Sequence, residues 1–323
     1  MTTFFLNRLA TEPHALAFAG QSTPWPVALA DQTTDPSLDE ALRGHVAAAG
    51  RLLTPVAADL LATTGRPVDL FGFAPNPARL GAAADATASV EGVALTQLGA
   101  LLDLEHLGYS VAQTKPLAVL GHSQGVLAVH MTRAIEAAGS IEAAGTTLDE
   151  ILAVAALIGA AGTRRVRELG LNPKYGEASP MLSVKGATRE QVEALVKRVN
   201  NARGPISIAV TNSDNHHVLS GYPEDLAAFA LEAEREHQHQ AKLREQKLHG
   251  GTVFNPTLEY LEVTLPFHSP LMAEAVERTV SWAGACGFDQ DRTRALAAEV
   301  LLNHVDWNAR VKALFSAADP AKL

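Results

Sequence analysis

The chain has 323 residues, 47% of them hydrophobic and 19% charged, with a formal net charge of -9. This is a folding composition with enough apolar material for one large core or two smaller ones, and it excludes disorder. The negative balance without a dense basic stretch argues against a nucleic-acid partner, and the lone Cys286 excludes an internal disulfide or a Cys-based zinc site. The amino terminus lacks the basic start and long apolar core of a signal peptide. No apolar run reaches membrane-spanning length without a charge or a breaker. The expectation is a cytoplasmic chain with no membrane partner.

In chain order, HALAFAG (His14 to Gly20) predicts a short buried strand, and QSTPWP a turn-rich loop. Helical spacing follows in LDEALRGHVAAAGRLLTPVAADLLATTG, closed by Gly65 and then Pro67. ASVEGVALTQLGALLDLEHLG predicts another helix, ending at Gly108, and KPLAVLG the next strand. Strands alternating with helices predict an α/β fold with a parallel-sheet core of the α/β-hydrolase-like kind.

The rhythm changes after Ser179. PMLSVKG reads as a strand, TREQVEALVKRVN as a helix capped by Thr188, and ISIAVTNSDNHHVLSG as a hairpin. YPEDLAAFALEAEREHQHQAKLREQKLHGG reads as a long charged helix, and LEYLEVTLPFHS as a returning strand. This β-α-β-β-α-β order predicts a ferredoxin-like small subdomain inserted into the larger one. The expected organisation is a core at 1–178, the insertion at 179–264 and a return to the core at 265–323. EREHQHQAKLREQKLH is read as a solvated helix face. His237 and His239 diverge on a helix and make a poor metal pair, so no metal site is expected.

LAVLGHSQGVLAVH, Leu117 to His130, carries the chemistry. A serine on a sharp strand-turn-helix corner is strained, and its Oγ projects at the carboxyl end of the sheet. Side chains at Gly121 or Gly125 would crowd that turn. The following helix aims its first N–H groups at the serine, which favours an oxyanion beside it. Ser123 is therefore the candidate nucleophile; the plain alternative is a Gly-rich turn with Ser123 as an N-cap.

A serine hydroxyl needs a base. Among 12 histidines, His122 lies inside the elbow pointing away from Oγ, and His130 sits two turns into the helix. His216 and His217 lie in the hairpin, and His304 in a late apolar run. His268, in LPFHSPLM, follows directly on a strand between Pro266 and Pro270, where the small domain returns to the large one. Its position alone leaves it open between a base and a structural histidine.

AFAGQST, GHSQG and PFHSPLM, in that order, resemble the malonyl/acetyl-CoA acyltransferase family. The elbow looks most like that of the acetyltransferase domain of bacterial type I fatty acid synthases. The resemblance covers nearly the whole chain, including the inserted domain. It implies that Ser123 attacks a thioester carbonyl while His268 takes its proton and later returns it to the leaving thiol. In that family a backbone carbonyl, not a carboxylate, orients the histidine. The resemblance also implies an oxyanion hole from the backbone N–H groups of Gln124 and Gln21; without it, Gln21 is simply a loop glutamine. It implies no cofactor, a coenzyme A thioester as donor, and the phosphopantetheine of an acyl carrier protein as acceptor. Partners would be that carrier and other domains of a fatty acid synthase. His122 and Asn212 fall with the substrate-binding residues, Asn212 in a stretch lining the family's pantetheine cleft; by itself Asn212 equally fits an Asx-turn.

Family members that take malonyl carry an arginine before a glycine on the helix after the elbow, pairing the free carboxylate. Here TLDEILAVAALIGAAGTRR places Ile158 before Gly159. Isoleucine cannot pair a carboxylate and suits a short apolar acyl chain, so acetyl loading is expected, with propionyl next. A shifted register would offer Arg164 or Arg165 instead. The competing readings are a malonyl or palmitoyl transferase, a serine thioesterase or esterase with Asp214 as its acid, and a non-enzymatic docking domain. The sequence departs from the family twice. The segment between PFHSPLM and NHVDWNARV is short, which removes an obvious counterpart of the histidine-orienting carbonyl. The chain also ends at Leu323, before the strand that usually follows the V-x-W stretch at Val305-Asp306-Trp307. The expectation is a domain excised from a multienzyme, lacking its last core strand.

Overall fold

The computed structural model describes residues 8–9, 12–21, 24–65, 69–73, 85–114, 116–171, 178–200, 205–247 and 253–317. Ser22 and Thr23 of the early motif, Pro67 and the terminal 318–323 lie outside the described residues.

Strand β1 (Ala15–Phe18) pairs in parallel with β2 (Ala118–Gly121), Ala15 opposite Ala118 and Phe18 opposite Gly121. A parallel pair needs a crossover, and helices supply it: α1 (Trp25–Gln32), α2 (Pro36–Leu52), α3 (Ala57–Thr64) and α4 (Ala86–His106). Asp35 and Asp85 cap α2 and α4 through backbone N–H groups of the first turn. Helix α4 is buried on nearly every side from Ala86 to Leu101, which makes it the central helix of the core.

After β2 come α5 (Val126–Ala138) and α6 (Ile141–Glu168). The break between them is made by Gly139, in a left-handed conformation, and Ser140, whose side chain caps α6. By length and composition α6 is apolar enough to cross a membrane, contrary to the expectation that no such run exists. Within the protein, 61% of its apolar window is buried, packed largely against α4 and α5.

The small sheet is built from β3 (Met181–Lys185), α7 (Arg189–Val199), β4 (Ser207–Ser213), β5 (His216–Ser220), α8 (Pro223–Glu245) and β6 (Thr257–Tyr260). Its strands lie in the order β6-β3-β5-β4, each antiparallel to its neighbour, which is the expected ferredoxin-like arrangement. Thr188 and Gln191 form a reciprocal capping box at the start of α7. Strand alternation gives the sheet two faces. Leu182, Val184 and Leu219 join Leu195, Leu226 and Phe229 in a core of their own. Met181, Ser183 and Lys185 point the other way, toward the Ser123 cleft.

Beyond β6 the chain forms α9 (Ala273–Ala285), α10 (Gln290–Leu301), β7 (Val305–Asp306) and α11 (Trp307–Ala317). Helices α9 and α10 pack on α6. Strand β7 runs parallel to β4 and extends the small sheet to five strands. The expected strand into PFHS stops at Tyr260. A tight turn follows, with Val263 N–H donating to the Leu261 carbonyl at 2.8 Å, and His268 sits well beyond the sheet.

Phe229 is fully enclosed in the small-sheet core. Phe229→Ala should destabilise by roughly 3–5 kcal/mol, read as a lower denaturation midpoint.

Candidate active site

Strand β2 ends at Gly121, His122 is extended, and Ser123 turns into a left-handed conformation (φ 54°) before a short 3-10 turn leads into α5. A non-glycine residue there stores about 1–3 kcal/mol of strain and persists only where its surroundings dictate it. The surroundings are two backbone contacts. A Cβ on Gly125 would overlap the Phe18 carbonyl of β1, and one on Gly121 would overlap the Gly125–Val126 peptide. The His122 N–H also donates to the Phe18 carbonyl at 2.9 Å, carrying the β1-β2 ladder into the corner.

Ser123 Oγ lies 2.7 Å from His268 Nε2. His268 Nδ1 lies 2.8 Å from the carbonyl oxygen of Asn303, which can only accept, so the proton sits on Nδ1 and Nε2 offers its lone pair to the serine O–H. His268 is itself left-handed (φ 56°) and 2% exposed. Burial pushes its imidazole down to about 4; the Asn303 hydrogen bond opposes this, while His122, His304 and Arg310 add to it. It is therefore a neutral imidazole in a fixed tautomer. Asn303 also supplies the orienting carbonyl for which the sequence showed no obvious counterpart.

The glutamines at the elbow are braced together. Gln124 is fully buried and its side-chain amide donates to Gln21 Oε1, while Gln21 Nε2 donates to Ser89 Oγ of α4 at 2.7 Å. His122 Nε2 donates to Asn212 Oδ1 at 2.8 Å, so Asn212 is engaged with the elbow rather than in an Asx-turn. Ile158 departs from its expected place: it is fully enclosed in the core cluster on α6 and does not line the cleft. Gly159 beside it packs against the backbone of Ala86, so this turn of α6 meets α4 rather than the serine. Arg164 pairs with Glu168, and Arg165 with Glu274 and the Leu271 carbonyl, which commits both away from the serine. Asp214 is exposed and bonded to Lys312 and Asn308, not to His268.

Ser123, His268 and Gln21 open onto a cleft of about 780 Å³ between the elbow and the small sheet. On its sheet wall Met181 lines one end and Lys185 and His216 the other, with Val210, Val218 and Glu259 in the row between, and Lys185 pairs with Glu259 at 3.2 Å. Sequence reasoning missed Trp25 on the opposite wall and Arg310, whose guanidinium donates to the Gly121 carbonyl at 3.0 Å. Trp25 lay in a segment read only as a loop, and Arg310 in one noted only for its tryptophan.

The Fatty acid synthase central AT domain model matches residues 180–260. The fatty acid synthase beta subunit TOXC of Cochliobolus carbonum is 29% identical over 163 residues, a match covering 46% of this chain and 8% of that protein's length. The malonyl CoA-acyl carrier protein transacylase of Coxiella burnetii has the same fold, with TM-score 0.61, 16% identity, and 94% of this chain and 84% of that one covered. A malonyl-transacylase solved with a type II polyketide synthase acyl-carrier protein superposes with TM-score 0.60 at 16% identity, covering 94% and 86%. The chain therefore shares its fold with these transacylases, and its small sheet matches the central AT domain of fatty acid synthases.

Two outcomes follow from this geometry. Gly125→Ala should misplace the elbow against β1 and reduce labelling of Ser123 by a serine-directed fluorophosphonate by roughly a hundredfold, read by mass spectrometry. Because His268 is held down from 6.5 to about 4, that labelling should fall off on the acid side near pH 4 rather than pH 6.5. Between those values the unfolded chain binds a proton that the folded chain does not. This contribution to stability is thus complete above pH 6.5 and lost as pH falls toward 4, a trend thermal unfolding will register.

Proposed function

We propose that this chain moves a short, uncharged acyl group, acetyl first and propionyl next, from coenzyme A to the phosphopantetheine thiol of an acyl carrier protein in fatty acid synthesis. The observation that carries this reading is the Ser123–His268–Asn303 chain of hydrogen bonds at the mouth of the cleft. Ser123 Oγ attacks the thioester carbonyl while its proton passes to His268 Nε2. The tetrahedral oxyanion is held by the backbone N–H groups of Gln124 and Gln21, each such donor contributing about 3 kcal/mol. As the C–S bond breaks, the proton returns from His268 to the leaving thiol, and an acyl-Ser123 ester remains. The carrier's thiol then gives its proton to His268, attacks the ester and releases Ser123 Oγ, which recovers the proton. No cofactor takes part in these steps.

The carboxyl-free arrangement favours transfer over the esterase reading, since Asp214, the acid that reading needs, is occupied elsewhere. Support for an uncharged acyl group comes from the cleft. Among the described lining residues there is no arginine, and the one lysine, Lys185, is paired to Glu259. A buried malonyl carboxylate would have no bidentate partner there. The relatives of matching fold are mainly malonyl transacylases, so malonyl is the competitor to be tested. The solved transacylase–carrier complex supports a carrier protein as partner.

Intact-mass measurement after brief incubation with acetyl-CoA, propionyl-CoA or malonyl-CoA decides the matter. An acetyl adduct is expected on the wild type and none on Ser123→Ala. A malonyl adduct formed equally fast would overturn the neutral-acyl assignment, and rapid release of free coenzyme A without an adduct would point to hydrolysis.

A further inference from the structure

Residues 303–310 touch His268, the elbow residues that precede Ser123, and the small sheet. The Asn303 carbonyl accepts from His268 Nδ1 at 2.8 Å. His304 Nδ1 donates to the Ile208 carbonyl of β4 at 2.9 Å, and Val305–Asp306 pairs alongside that strand as β7. The Asp306 carboxylate then accepts from the Ala309 N–H at 2.9 Å and starts α11. From α11 the Trp307 ring meets His122 edge-on, with centroids 5.3 Å apart, and Arg310 donates to the Gly121 carbonyl. Asn308 and Lys312 tie the same helix to Asp214 at the β4–β5 turn.

The elbow is thus gripped from its outer side by groups that do not touch Ser123. Gly121 O is held by Arg310, and the His122 imidazole is held between Asn212 of β4 and Trp307 of α11. We propose that Arg310 and Asn212 are positioning residues for the nucleophile, holding the residues on its amino-terminal side from the edge of the small sheet so that Oγ stays aimed at His268. This rests on Ser123 being the acylated residue. Holding the corner from outside fits its strain: Ser123 occupies a left-handed conformation that neighbouring groups have to maintain.

Arg310 has a second consequence. The titratable and charged groups acting on His268 are the imidazoles of His122 and His304 and the Arg310 guanidinium, and each disfavours a charge on His268. Removing the guanidinium makes protonation easier, so the acid limb of activity moves to higher pH.

The test measures the rate at which a fluorophosphonate labels Ser123 in the full chain across pH, for Arg310→Met, Arg310→Lys, Asn212→Leu and Asn212→Asp, with thermal unfolding alongside. Arg310→Met is expected to slow labelling roughly ten- to a hundredfold and to move the acid limb upward. Arg310→Lys, which keeps the charge, should leave the acid limb in place and recover part of the rate. Asn212→Leu should slow labelling comparably, and Asn212→Asp, which keeps an acceptor for His122, should recover it. If Arg310→Met fails to fold, the Asn212 pair decides. Wild-type labelling rates in Arg310→Met and Asn212→Leu would overturn the assignment. So would losses that neither conservative variant rescues and that follow the unfolding temperature. A wild-type chain that does not label at Ser123 would instead bring down the proposed function on which the assignment rests.

Discussion

The first turn of α5 lies directly on the backbone of β1, with no side chain between Gly125 and the carbonyl of Phe18. That approach forces the chain leaving β2 to reverse within Gly121 to Gly125, and it leaves Ser123 no room for an ordinary backbone conformation. The strained serine is a consequence of the packing, and its outward-facing Oγ is a consequence of the strain. Moving α5 away from β1 by the width of a methyl group would relax the corner and turn the hydroxyl away from His268.

A second strained residue completes the pair. His268 is also left-handed, and its imidazole is buried with one nitrogen on a backbone carbonyl and the other on the serine. A carbonyl cannot take the proton from Nδ1, and it brings no negative charge that would stabilise an imidazolium. Burial and the nearby Arg310 disfavour the imidazolium and outweigh the Asn303 hydrogen bond, which by itself favours it. The histidine is therefore a neutral imidazole that offers its Nε2 lone pair to the serine hydroxyl. The orienting carbonyl belongs to Asn303, immediately before the segment that adds β7 to the small sheet, so His268 and the cleft wall are positioned by one stretch of chain.

The small sheet does two jobs because its strands alternate. One face, with Leu182, Val184 and Leu219, closes its own core against α7 and α8. The other, running from Met181 through Val210 and Val218 to Lys185 and His216, forms a wall of the cleft. Register links the two functions, since a slip of one residue would turn the apolar core set into the cleft and the cleft set into the core.

Much of this was legible in the residues. The GHSQG corner, the capped helix after Thr188 and the β-α-β-β-α-β order are local patterns, and local sterics and period-two alternation set them wherever the chain goes. Ser123 was readable because its neighbours, Gly121 and Gly125, state the geometry in sequence. The rest depended on parts of the chain far apart in sequence. Ile158 stands at the position expected of an acyl selector, yet the rotation of α6 against α4 turns it into the core. The carbonyl of Asn303 reaches His268, and the guanidinium of Arg310 reaches the elbow, only because β7 docks beside β4. A backbone carbonyl has no signature of its own, and a surface arginine looks like any other until its partner is known. The sequence by itself determined the corner that holds Ser123. Tertiary packing decided what aims it and what lines the cleft, because those contacts join segments whose proximity no local pattern encodes.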